Sequence, residues 1–421
     1  MAESMRSLVL RTGAARLGAA LVYSRLTGRP ALYPAAPLAM MEFAAPKLLP
    51  GGWTRVRPTL AGICGSDLKT LRLDISTRAA NQARRRAGSD AGGMPRFLGH
   101  ETVGEIVEAS SGCAWAAPGQ RVVMIPRTTC AVFGAEPCEH CRAGHSLLCV
   151  RRDDTPPREL FTGASGGGWG GGWSDQFVRH ESQLFRLPSS ITDEQAVLFD
   201  PLACALHCVL RRPPVDGESV LVIGAGAIGL AVVKVLTAIG RRVRVAVLAR
   251  HDFQAAAAQH AGAELVSRHE PADAYDQWAK FLGTSVAGHR RHNRCLETGF
   301  HVVYDTVGSA STLHHALRWT RPRGAVVVEG VNLFPGVLDR TPIWHRELSI
   351  LGALGHGEEE FEGRRAHTFD FIYSWLQEGR LDASGLLTHE FPFDQYRRAI
   401  LTAAGKHRSG AIKVAMRFAA R

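Results

Sequence analysis

Val220-Leu-Val-Ile223, followed at once by Gly224-x-Gly226-x-x-Gly229 and an apolar run to Leu236, constrains this chain more than any other feature. An unbroken branched apolar run suits a strand buried on both faces, which is what a parallel sheet covered by helices requires. The glycines then permit a tight turn, close approach of the backbone to a pyrophosphate, and close packing of helix on strand. A pyrophosphate would rest on the free amides at the helix start, where the dipole favours anions. Gly224, Gly226, Ile228 and Gly229 are therefore candidate dinucleotide contacts.

Short β-branched runs alternate with helical stretches from Val220 to about residue 352, the pattern of a doubly wound parallel sheet. Before it, strands such as Val103–Val107 and Arg121–Ile125 are separated by Gly and Pro punctuation, which suggests a mainly antiparallel, barrel-like unit. After it come a helical run, Phe369–Gln377, and a closing strand, Ala411–Met416, read as returning to the first unit. The expected division is 1–200, 201–352 and 353–421. At 421 residues, two domains are the ordinary outcome.

The formal charge of +11 gathers in Arg84-Arg85-Arg86 and His289-Arg-Arg-His-Asn-Arg294. Neither run alternates with aromatics, so nucleic acid is not the expected partner; solvated loops, or an attraction for anionic substrates and cofactor phosphates, suit the charge better. No segment offers the roughly 18 uninterrupted apolar residues a membrane span needs, and no membrane partner is expected. The first 30 residues carry five arginines against the one acid Glu3, a bias shared with organelle transit peptides. Arg6-Ser-Leu-Val-Leu10 nevertheless reads as an opening strand, and the expected location is the cytoplasm.

Cys130, Cys138, Cys141 and Cys149 follow the spacing C-x7-C-x2-C-x7-C. Four thiolates can close a tetrahedron around one Zn²⁺ and pin a loop that has little core of its own. His140 and His145 are rival ligands, read as facing solvent. Gly62-Ile-Cys64-Gly-Ser66-Asp67 and Gly99-His100-Glu101 supply a thiolate and an imidazole from separate loops, with a carboxylate beside them. That donor set, with one position left open for substrate, is what a catalytic zinc needs.

These motifs, with Asp200-Pro-Leu-Ala and the glycine turn, occur in one order, and in that order the chain resembles the zinc-dependent medium-chain dehydrogenases, in particular the sorbitol, threonine and glucose dehydrogenase branch. The resemblance runs from Met5 to Met416. It implies an α/β protein: a GroES-like, mainly antiparallel β catalytic domain plus a doubly wound parallel Rossmann domain. It implies that Cys64 and His100 ligate the catalytic zinc, that Glu101 is an occasional ligand or a carboxylate beside it, and that Ser66 relays the proton. Asp200 stands where the polyol branch has glutamate and is the implied third ligand. Lys69 stands where many relatives place a proton-passing histidine. Many relatives also space their first two lobe cysteines by two residues, so the long Cys130-to-Cys138 loop is a departure. Val307 and Gly330, at the ends of later strands, would lie along the nicotinamide. The expected assembly is a homodimer or homotetramer.

The second Rossmann strand, Val243–Leu248, ends in Ala249-Arg250-His251 where a carboxylate would grip a free 2′-hydroxyl. A guanidinium there favours NADP(H) over NAD(H). The expected activity is hydride transfer between a secondary alcohol or polyol, or its carbonyl, and a nicotinamide cofactor. Two alternatives stay open: a zinc-independent NADPH quinone or enone reductase of the same fold, and a non-catalytic nucleotide- or nucleic-acid-binding relative. Arg72–Pro95, the glycine-rich 163–172 segment and Gly283–Gly299 show no recognition pattern that names a substrate.

Overall fold

The computed structural model describes residues 4–11, 14–27, 30–32, 37–45, 48–72, 96–152, 154, 170–288, 294–332 and 336–419. The arginine triplet at 84–86, nearly all of the 72–95 stretch, the basic run at 289–293 and most of the glycine-rich segment lie outside them. The chain divides into two compact units, Met1–Phe199 with Leu387–Arg421, and Asp200–Leu386.

The first unit opens with β1 (Ser4–Leu10), the strand expected from Arg6–Leu10, and continues through helix α1 (Ala14–Thr27) to β2 (Leu38–Ala44). The long strand β3 (Trp53–Ile63) feeds directly into α2 (Gly65–Leu71). Strands β4 (Arg96–Phe97), β5 (Thr102–Ala109), β6 (Arg121–Met124), β7 (Phe177–His180) and β8 (Leu184–Arg186) follow. In β3, Val56, Pro58 and Leu60 point inward while Arg55, Arg57 and Thr59 are partly exposed, the period-2 alternation of a half-buried strand. Pro58 cannot donate to the ladder, and the pairing with β5 slips between Pro58 and Leu60.

The second unit begins in α3 (Phe199–Arg211) and then alternates strand and helix: β9 (Ser219–Ile223), α4 (Ala227–Ala238), β10 (Arg244–Leu248), α5 (Asp252–His260), β11 (Leu265–Ser267), α6 (Tyr275–Leu282), β12 (Phe300–Asp305), α7 (Ala310–Trp319), β13 (Thr320–Val328) and β14 (Ser349–Gly352). The six strands are all parallel and ordered β11-β10-β9-β12-β13-β14. The order reverses between β9 and β12, so the carboxyl ends of these strands form the crevice in which doubly wound sheets take their ligands.

The hairpin β15 (Glu358–Phe361) and β16 (Arg364–His367) and helix α8 (Thr368–Gln377) still belong to this second unit, which runs to Leu386. The return read from sequence at residue 353 thus begins at Leu387. The reason is local packing: Phe361, Phe371 and Trp375 form one aromatic group, and Arg380 donates to the Ala238 carbonyl at the end of α4.

The chain re-enters the first unit through β17 (Leu387–Pro392), α9 (Tyr396–Ala404) and β18 (Lys413–Arg417). Its larger sheet runs β17-β18-β3-β5-β6-β8, with β7 also on β3; only the β17–β18 pair is parallel. A smaller sheet has the order β2-β1-β4. Ala61, Ile63, Leu68, Leu98, Trp173, Val414 and Met416 share one buried cluster, so the strand ends that carry the metal-ligand motifs are anchored in core. Among the described residues, no helix is long and apolar enough to cross a membrane.

Candidate active site

Cys64 is the residue between the end of β3 and the first turn of α2, with extended backbone. Its amide donates to Asp67 Oδ2 at 3.0 Å, the local bond that starts the helix and fixes the cysteine. The other oxygen of the buried Asp67, Oδ1, lies 3.5 Å from His100 Nδ1. A carboxylate on one imidazole nitrogen fixes the ring and leaves the other as ligand, the usual support of a metal-binding histidine. Burial pushes the His100 proton affinity down, but the charges of Asp67 and Cys64 overcome this and hold it well above the ordinary range.

The ligand atoms of Cys64, His100 and Glu101 all lie within 4.8 Å of one another. A thiolate, an imidazole and a carboxylate at that spacing fit a Zn²⁺. Glu101 is buried, and Lys413 Nζ donates to both of its oxygens at 2.6 Å. Ser66 sits half-buried in the first turn of α2 and Lys69 half-buried in its last.

A further residue joins the two ligand loops. The Trp173 amide donates to the Leu98 carbonyl, and its indole Nε1 donates to the Gly62 carbonyl at 3.1 Å. Gly172 donates to the Gly99 carbonyl. A Cβ on Gly99 would come within 2.4 Å of the Trp173 ring, so the Gly-His-Glu turn needs glycine for close approach. Gly171 and Gly172, at the described end of the glycine-rich segment, are packed against the Leu98–Thr102 turn. Asp67, Trp173 and Lys413 were not singled out from sequence. Their signals were the Cys-x-x-Asp spacing of a cap, a tryptophan ending a glycine run, and a lone lysine in an apolar strand.

In the lobe, Cys130, Cys138, Cys141 and Cys149 bring their sulfurs within 4.8 Å of one another, and neither His140 nor His145 joins them. Cys149 lies 3.7 Å from Cys130 and 3.9 Å from Cys138, sulfur to sulfur. A tetrahedron with Zn–S bonds of about 2.3 Å separates its sulfurs by about 3.8 Å. The amides of Cys138 and Arg151 donate to the sulfurs of Cys130 and Cys149. Amides of Val150 and Cys141 draw the Cys138 thiol down to about 6, while burial pushes Cys149 up to about 12. Among the described residues, no disulfide joins any of the nine cysteines.

In the second unit, Gly224 has φ +95°, and a Cβ there would strike Val307 and Thr306. A Cβ on Gly229 would lie 1.8 Å from the Gly224 carbonyl, the close helix-to-strand approach expected of the third glycine. Around Gly226 no heavy atom comes within 4 Å of that position, which leaves room for a phosphate at the start of α4. Ile228 lies in the first turn of α4. Val307 and Gly330 end β12 and β13 side by side. Asp305, at the end of β12, accepts from the amides of Val307 and Gly308 and from the Thr312 hydroxyl, and so shapes this crest. Arg250 is exposed just beyond β10; the nearby acid, Asp252, pairs with Arg268. Asp200 lies at the start of α3, where His356 Nε2 sits 3.0 Å from its Oδ1.

Comparison with known proteins decides what this arrangement belongs to. Residues 50–189 match the alcohol dehydrogenase GroES-like domain and residues 227–368 match the zinc-binding dehydrogenase domain. The chain belongs to the zinc-dependent medium-chain dehydrogenase family. It is 28% identical to L-idonate 5-dehydrogenase of Vitis vinifera over 81% of each chain. It is 29% identical to L-threonine 3-dehydrogenase of Paraburkholderia xenovorans, over 82% of this chain and 87% of that one. An alcohol dehydrogenase from Thermus sp. ATN1 superposes with a TM-score of 0.71 at 23% identity, covering 98% of this chain and all of that one. The fold expected from the sequence, a GroES-like β domain with a doubly wound parallel domain, is the one found.

Proposed function

We propose that the protein is a zinc-dependent dehydrogenase that moves a hydride between a secondary alcohol or polyol, or its carbonyl, and NADP(H). The observation that carries this reading is the Cys64–His100–Glu101 cluster on loops locked together by Asp67 and Trp173. Relatives named as idonate and threonine dehydrogenases act on secondary hydroxyl groups, which supports that substrate class. Zinc bound by Cys64 and His100 would supply Lewis acidity to the alcohol, and the nicotinamide would accept the hydride. Asp67 holds His100 in one tautomer, and Lys413 draws the charge of Glu101 toward itself. Ser66 takes the hydroxyl proton, and Lys69 lies one helical turn further along. For Asp200 as an added ligand the reading rests on the resemblance alone. The four lobe cysteines would hold a second zinc, and a reducing cytoplasmic setting would keep them as ligands. The test is a panel of polyols, hydroxy acids and small secondary alcohols scored with both nicotinamide forms, beside metal analysis. Turnover with about two Zn per chain is expected; turnover by metal-free protein would remove the zinc chemistry.

Arg250 supports NADP(H): it lies at the strand end where a 2′-phosphate would sit, and Asp252, two residues on, is paired with Arg268. A charge-assisted hydrogen bond contributes about 1.5–3 kcal/mol. Arg250→Glu should therefore lower kcat/KM with NADP⁺ about 10- to 100-fold and leave NAD⁺ within a few-fold; an equal loss with both would place Arg250 outside the phosphate site.

A homodimer through β14 completes the reading. Among the described residues this edge strand pairs only with β13 and leaves its outer ladder open beside Ile350, while Trp344 is 72% and Val337 97% exposed. An open apolar edge is a template for pairing with a second copy. Trp344→Glu with Ile350→Lys should halve the sedimenting mass, and an unchanged mass would move the interface elsewhere.

A further inference from the structure

Strand β3 offers one edge to two partners and leaves a notch between them. That edge pairs with β7 over Trp53–Val56 and with β18 over Leu60–Ile63. Arg57 and Pro58 fall between, and Pro58 has no N–H to offer a strand that came to close the gap. A cleft of about 700 Å³ opens there, within the size range of small-molecule pockets. Arg57 precedes Cys64 by seven positions, roughly 23 Å along an extended strand, so the cleft is remote from the metal cluster.

The register decides which side chains meet in it. Met416 lies opposite Ala61, Arg417 lies opposite Leu60, and the Phe418 amide donates to the Thr59 carbonyl. Arg57, Thr59, Met416 and Phe418 therefore share one face of the sheet. Phe391 lies beside Met416 on β17 and joins that face. Phe391, Phe393 and Phe418 give the cleft an apolar floor, with the rings of Phe393 and Phe418 stacked at 4.3 Å between centres. Of the guanidiniums that line it, two are already engaged: Arg6 binds both oxygens of Asp175, at 3.0 and 3.1 Å, and Arg417 binds Glu390. Asp394, a further acid of the lining, acts on Arg6. Arg57, half-buried, makes no ion pair or hydrogen bond through its guanidinium among the described residues.

The chemistry of the lining names the ligand. A guanidinium fork takes a carboxylate through two parallel bonds and holds it more strongly than a neutral acceptor. Aromatic rings take a flat apolar body against their faces and edges. An extended peptide is a poorer match, because strand addition draws on main-chain donors and Pro58 removes one where the edge is open. We propose that the notch is a second small-molecule site that takes a flat apolar monocarboxylate, held by Arg57 at its charged end and by Phe391 and Phe418 along its body. The site lies within the first unit and is independent of the zinc and cofactor assignments.

The test is isothermal titration of the full-length, zinc-loaded protein with benzoate, cinnamate and naphthoate, beside their uncharged amides. At least one of the acids should bind, and its amide should bind about tenfold more weakly. Arg57→Gln should weaken the acid about tenfold or more, and Arg57→Lys, which keeps the charge and loses the fork, should fall between. Neither variant should change turnover of a polyol, because Arg57 is remote from the metal cluster. The Cys64→Ser protein should bind the acid as the parent does, which separates the notch from a carboxylate ligating the metal. The proposal is overturned if none of the acids binds, if the amides bind as well as the acids, or if Arg57→Gln binds as the parent does. It is also overturned if Cys64→Ser abolishes the binding, which would make the metal the partner of the acid.

Discussion

Cys64→Ser is expected to lower turnover about a thousandfold or more and to leave dinucleotide affinity nearly unchanged. Metal acid catalysis supplies several kcal/mol to such a reaction, and each 1.36 kcal/mol is tenfold in rate. A serine hydroxyl is a poor substitute for a thiolate toward zinc, and it leaves His100 and Glu101 to hold the cation alone. The glycine turn, Asp305 and Arg250 all lie in the second unit and do not depend on this side chain. Fold should survive too, because the bond that fixes this turn runs from the backbone amide of residue 64 to Asp67. Steady-state kinetics, fluorescence titration with NADPH and metal analysis check it together, zinc falling from about two to about one per chain. A serine variant with full turnover would remove Cys64 from the chemistry, whereas a loss of cofactor binding in step with turnover would point to misfolding.

What could be read in advance depended on how local the determinant was. The Gly224–Gly229 turn and the lobe cysteines declare themselves in a few consecutive residues, because a positive φ, a close helix-to-strand approach or a set of four thiolates each demands a residue type. Asp67 and Lys413 acquire their meaning only when distant strands meet: Lys413 lies 312 positions from the carboxylate it pairs with. The late return at Leu387 was hidden because α8 looks alike whichever unit it packs on. Helix α1 has neither an alternating pattern nor a polar face, so its Ala-, Leu- and Val-rich sequence announces no boundary. Asp200 was read from Asp-Pro-Leu-Ala, but no local signal pointed to His356, which bonds it from 156 residues away.

Lys413→Met should destabilise the fold by about 3–5 kcal/mol, the usual effect of leaving one member of a buried ion pair without its partner. Both side chains are almost wholly inside, and both oxygens of Glu101 accept from the one ammonium group. Their mutual attraction does little beyond offsetting the desolvation of each, so the pair as a whole need not add net stability. This separates two variants that a contact inventory would treat alike. The single Lys413→Met leaves a buried carboxylate without its hydrogen-bonded cation, with only the charge of Lys406 beside it, while the double Glu101→Gln, Lys413→Met removes both charges and should recover most of the lost stability. Urea denaturation of the four proteins in the cycle measures the coupling, expected to exceed about 2 kcal/mol. The zinc-loaded single variant adds a second readout: a carboxylate released from its lysine should turn to the cation, so Lys413→Met should unfold less readily with saturating zinc than without it, by a wider margin than the parent shows. A single variant as stable as the parent, with no added zinc dependence, would mean that Glu101 is neutral or solvated and that Lys413 does not govern its charge.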